Sequence, residues 1–269
     1  MLSAMHALLD GRPTSLRSIF TREAEAVRAA AAPGPPVTDD DLASLPPLVQ
    51  AYLRRAGAVG RPRVRSFYAR MRVQIRNGRD GDWMDSTAEQ VNTYGPASRR
   101  FFMHATRGAL SFDALHRFVG EHATMRVKAL GLVTMVDARG PEMDQSETVT
   151  LFNDLCLFAP AALVDADVTW EPVSERVVRG RFTHYGRAVS AELRFDEAGD
   201  LADFVSPDRY LSADGKVFRR LPWSTPVFSY GDFDGARAFA KAEARWREPD
   251  GEWAYGRFEL AELRHNPTL

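Results

Sequence analysis

Apolar and polar residues alternate along much of the chain. Phe67, Ala69, Met71, Val73 and Ile75 are interleaved with Tyr68, Arg70, Arg72, Gln74 and Arg76, the pattern of a strand with one buried face. The alternation returns in Ala123, Met125 and Val127, and is clearest in Val189, Ala191, Leu193 and Phe195. Ala238, Ala240, Ala242, Ala244 and Trp246 share one face of a further strand, and Phe258 and Leu260 one face of the last. Turn dipeptides punctuate these runs: Asn77-Gly78, Asp80-Gly81, Gly199-Asp200, Asp214-Gly215, Asp234-Gly235 and Asp250-Gly251. Regular turns between alternating strands predict an antiparallel sheet, not βαβ units.

Three stretches have helical spacing instead. Residues 14–31 carry Leu16, Ile19, Phe20, Glu23 and Val27 on one stripe, expected to dock on the protein's own body. Pro33-Gly34-Pro35-Pro36 ends that helix as a linker. Thr38 and Asp41 have capping-box spacing. A second helix is expected from about Pro46 to Gly57, with Leu48, Val49, Tyr52 and Leu53 on one face. The third, 144–158, is apolar almost all round, so it should be buried. Asp144 and Glu147 are spaced as its capping box, and Pro160 stops it.

The expected fold is mainly β, of the α+β kind: a large curved antiparallel sheet or half-barrel meander with a buried helix and N-terminal helices. A helical extension and linker would occupy 1–36 and one β-rich domain 37–269. The 269 residues suffice for a sizeable core. Lys plus Arg number 35 and Asp plus Glu 36, a balance that gives no global attraction to nucleic acid or anionic membrane. No apolar run reaches the length of a membrane span or signal-peptide core. With the single cysteine, Cys156, this predicts a cytoplasmic protein without an intramolecular disulfide.

No metal-binding histidine spacing, phosphate-cradling glycine loop or nucleophile elbow occurs, so neither metal nor cofactor is expected. Cys156 reads as a small buried hydrophobe. Asn153 and Asp154 stand out in the apolar run 151–158, because a buried carboxylate is costly unless paired or protonated. Its partner is either a fixing arginine or backbone amide, or it is a cavity-facing acid raised by desolvation. Candidate acid–base residues are Asp154, Glu147, His104 and Glu89. Candidate ligand contacts are Asn153, Asp154, Gln90, Arg209, Tyr210, Trp223, Tyr230, Trp246 and Tyr255, where aromatic surface with polar tips suits an apolar ligand.

Several stretches together resemble a bacterial family of uncharacterised proteins, a domain of unknown function. They are Leu45-Pro46-Pro47-Leu48-Val49-Gln50-Ala51-Tyr52-Leu53, Trp83-Met84 with Ala88-Glu89-Gln90, Glu147-Thr148-Val149-Thr150-Leu151-Phe152-Asn153-Asp154-Leu155-Cys156, and Trp223-Ser224-Thr225-Pro226-Val227. The resemblance runs from about Ile19 to Asn266. It implies no reaction and no catalytic residues. By fold analogy its pattern is similar to lipoprotein-carrier half-barrels, which hold acyl chains in an apolar groove.

The expected function is binding of an apolar or lipid-like small molecule between curved sheet and buried helix, with the alanine-lined strand 238–244 leaving room beneath it. The alternative is a cofactor-free enzyme, an isomerase, cyclase or hydrolase, whose acid–base groups converge in the same space. Whether the chain is an enzyme, and its oligomeric state, stay open at this point.

Overall fold

The computed structural model describes residues 12–30 and 34–267; residue 31 and Pro33 of the expected helix end and linker, and residues 1–11 of the expected extension, lie outside them. Three helices come first: α1 (Leu16–Ala30), a single turn α2 (Asp39–Leu42) and α3 (Pro47–Arg55). Thr38 and Asp41 close the expected capping box on α2, and Pro47 occupies the first turn of α3. Six strands follow: β1 (Ser66–Ile75), β2 (Met84–Tyr94), β3 (Ala97–Arg107), β4 (Leu110–Val119), β5 (His122–Ala129) and β6 (Val133–Arg139). Helix α4 (Pro141–Leu157) and a 3₁₀ turn (Pro160–Val164) separate them from β7 (Val168–Ser174), β8 (Val177–His184), β9 (Arg187–Phe195), β10 (Leu201–Leu211), β11 (Arg219–Ser224), β12 (Val227–Phe233), β13 (Ala236–Glu248) and β14 (Gly251–His265).

The fourteen strands form one sheet in the order β6-β5-β4-β3-β2-β1-β14-β13-β11-β10-β9-β8-β7, with β12 paired to β13 off this path. Every pairing is antiparallel, and the sheet curls into a half-barrel. Its two edges are β6 and β7, which are consecutive in sequence. The segment joining them must therefore cross the sheet, and that segment is α4. This explains why α4 is buried on all sides: Met143, Asp144 and every residue from Ser146 to Leu157 are buried.

α4 begins one turn earlier than its sequence suggests. Gly140 is the N-cap and Pro141 follows it, and no side-chain cap forms. Asp144 is not a cap; its carboxylate accepts from Ala123 N at 2.7 Å and ties α4 to β5. The inner face of β1 follows the alternation, with Phe67, Ala69, Met71 and Val73 buried. Strand β13 departs from it at Ala240, which has no partner where β12 shifts register. That bulge brings Phe239 to the buried side together with Ala238, Ala242 and Ala244, leaving Ala240 half-buried.

The opposite face of β2–β4 carries α1. Leu16, Phe20 and Ala24 pack on Val91, Phe102 and Leu115, with the rings of Phe20 and Phe102 5.8 Å apart. Ion pairs of Arg17 with Glu89 and of Arg100 and Arg117 with Glu23 fasten its polar edge. Among the described residues no helix is long and apolar enough to cross a membrane.

Candidate functional site

Between α4 and the inner face of the sheet lies a cavity of about 150 Å³. Its apolar wall is built by alternation: Met71 and Ile75 from β1, Phe101 and Met103 from β3, Phe239, Ala242 and Ala244 from β13, and Phe258 from β14. Leu157 and Phe158 at the end of α4 complete it.

The other side of the cavity is polar and centred on Arg99, which shares an inward face with Phe101 on β3. Its Nε donates to Asp154 Oδ2 at 2.9 Å and its Nη1 to Glu147 Oε2 at 3.0 Å. Gln90 Nε2 and Asn92 Nδ2 on β2 donate to the same Asp154 oxygen at 2.7 and 2.9 Å. On the far side of Glu147, His116 Nδ1 of β4 stands 3.5 Å from Oε1. Asn153 donates to Thr225 Oγ1 at 2.7 Å.

The two carboxylates respond differently to one environment. Burial pushes both up. For Glu147 the positive charge of Arg99 and the neighbouring His116 prevail and hold its carboxyl down to about 2. For Asp154 burial prevails over Arg99 and Asn92, and the carboxyl lies above its ordinary value.

Of the residues singled out in the sequence, Asp154, Glu147, Asn153, Gln90, Arg209, Trp223 and Tyr255 line this one cavity. Trp246 stands behind it, buried and stacked on Tyr255 with ring centroids 5.8 Å apart. Tyr210 is engaged through its backbone, its N–H donating to Ser146 Oγ at 3.0 Å. Tyr230 lies elsewhere, donating its hydroxyl to Leu201 O at 2.8 Å. His104 and Glu89 do not join the site. Strand alternation sends them to the α1 side, where His104 meets Asp113 at 2.7 Å and Glu89 accepts from Arg17 and Tyr68. The residues that sequence reasoning passed over are Arg99 and Asn92, while His116 stands out in the sequence only as a histidine without metal-binding spacing. Cys156 is buried within α4, its thiol pushed well up by burial. Among the described residues no group of three or more His, Cys, Asp or Glu could hold a metal ion.

The family model for DUF6544, described as a family of unknown function, matches residues 35–258. The chain belongs to this family. Every residue lining the cavity falls within the DUF6544 match, whereas α1 precedes it. Among solved structures the chain is similar to a LolA superfamily protein from Nitrosomonas europaea, at 11% identity over 82% of this chain and 94% of that one, with a TM-score of 0.45. It is also similar to a DUF1329 family protein from Desulfovibrio piger, at 12% identity over 82% and 93% of the two chains, with a TM-score of 0.42. No protein of curated function matches the sequence.

Proposed function

We propose that this DUF6544 protein binds a small apolar or lipid-like molecule in the space between α4 and the curled sheet. The observation that carries this reading is the cavity itself: an apolar wall facing a polar cluster in which Arg99 pairs both Glu147 and Asp154. Such a shape suits a ligand with a hydrocarbon body and one polar end. A volume of about 150 Å³ has room for one benzene-sized group. The part of the ligand held there is therefore a single ring or a short chain, and anything longer extends beyond the cavity. A cytoplasmic setting for this activity is part of the proposal, to be checked by cell fractionation.

Organic extraction of natively purified protein, followed by mass spectrometry, tests the reading. A small amphiphile at near-stoichiometric amount is the expected result. A protein that yields none, and whose tryptophan fluorescence is also unmoved by small amphiphiles, overturns it.

One observation favours a second reading, a cofactor-free acid–base enzyme. Burial raises Asp154 while Arg99 and His116 depress Glu147, and carboxyls driven apart in this way can divide acid and base roles. Conversion of the extracted amphiphile by wild type, retained binding and lost conversion in Asp154→Asn, would select it over simple binding.

A further inference from the structure

Two irregularities in the ladder sit side by side in the cavity wall. In β10 the register shifts between Ser206 and Arg209, where Pro207 has no N–H to offer the neighbouring strand. In β14 the register shifts opposite Ala244/Arg245, and Tyr255 is left without a partner on β13. An extra residue in a strand re-aims the side chain beside it. Here both bulges serve one point: Arg209 Nη1 donates to the Tyr255 hydroxyl at 2.9 Å.

That point is rich in donors and short of acceptors. Trp223 Nε1 donates to the same hydroxyl at 3.0 Å, so both phenolic lone pairs are taken and the O–H proton is free to be given away. Arg209 Nε is buried with no hydrogen-bond partner. The guanidinium lies 4.4 Å from the Trp223 ring centre and 5.2 Å from that of Trp246. Its charge is thus flanked by indole faces, whereas Arg99 a short way along the same cavity holds two carboxylates. Among the described residues Arg209 has no ion pair. Its charge reaches Glu147 and helps hold that carboxyl down, so what the guanidinium lacks is a direct acceptor.

We infer that Arg209 and Tyr255 form a carboxylate-binding site at the polar end of the cavity, and that the ligand is a monocarboxylic acid with a small apolar body. The inference rests on the proposed binding function and specifies its ligand class. A carboxylate matches the guanidinium edge with two oxygens, and the phenol can give it a third hydrogen bond. A dianion is disfavoured, because Glu147 and Asp154 line the same space.

Benzoate and its neutral analogue benzyl alcohol provide the test, titrated into the full-length protein by calorimetry, with tryptophan fluorescence as second readout because Trp223 and Trp246 flank Arg209. Benzoate is expected to bind about 10- to 100-fold more tightly, the range for hydrogen bonds to a charged group. Arg209→Met is expected to abolish that preference, with benzoate falling to the affinity that benzyl alcohol shows in the same variant. Tyr255→Phe, which keeps ring and packing, is expected to narrow the preference for benzoate over benzyl alcohol roughly 10-fold. Equal affinity for the two probes in wild type, or a preference that survives both substitutions, overturns the carboxylate site while leaving the cavity a binding site. Binding of neither probe overturns the two readings together.

Discussion

Arg99 on β3 bonds Asp154 at 2.9 Å and, with its other arm, Glu147 two helical turns away. One guanidinium thereby joins the centre of α4 to the floor of the sheet, and all three side chains are at most 8% exposed. A helix that must cross between two edge strands gains its fixed depth and rotation from such a contact. The depth matters, because the gap left between α4 and β1, β3, β13 and β14 is the cavity.

Removing this guanidinium strands two buried carboxylates. Arg99→Met is expected to cost about 3–5 kcal/mol in urea denaturation. Adding Glu147→Gln and Asp154→Asn to that variant should recover much of the loss, since amides carry no charge to compensate.

Asp203 on β10 gives a pH signature of its own. Burial pushes its carboxyl up to about 6 against the pull of Arg194, and Oδ1 has no hydrogen-bond partner. The folded form holds its proton more tightly than the unfolded chain, so the native state loses stability as pH rises from about 4 to about 6 and is level above that. The loss should be on the order of 1–3 kcal/mol. Asp203→Asn is expected to match wild type at pH 3.5 and exceed it by that margin at pH 7, measured by urea denaturation at both values.

Ala244 is buried on β13 and faces the cavity. Ala244→Leu should fill the space and abolish benzyl alcohol uptake in calorimetry. Growth into an existing void relieves the usual penalty of overpacking, so the thermal midpoint should fall by no more than a few degrees.

Helix α1 covers the opposite face of the sheet and should be separable from the site. Phe20→Ala deletes the ring packed on Phe102 and is expected to cost about 3 kcal/mol of docking. Hydrogen exchange should then accelerate in α1 alone, with ligand affinity at the cavity unchanged.

Sequence reasoning reaches the strands well and the site in part. Val189 to Phe195 reads cleanly because one face is wholly inside, and the all-round apolar character of 151–158 announces a helix with no wet side. Arg99 is hidden because an arginine amid alternating residues normally marks the solvent face. Only the distant carboxylates of α4 make an inward arginine tolerable. The phase of β3 nevertheless carries the answer: Arg99 and Phe101 share a side, and His104 falls on the other. Tyr255 and Arg209 depend on bulges, of which Pro207 is the one visible trace. The early start of α4 is masked by Asp144, whose capping-box spacing competes with the Gly140-Pro141 start.

Methionine methyl NMR reads the cavity directly. Met71 and Met103 line it, while Met135 is 57% exposed on β6. On titration with benzyl alcohol, the methyl signals of Met71 and Met103 should shift and saturate together while that of Met135 stays fixed. Unmoved Met71 and Met103 signals at saturating probe, or a response confined to Met135, would contradict a binding cavity beneath α4.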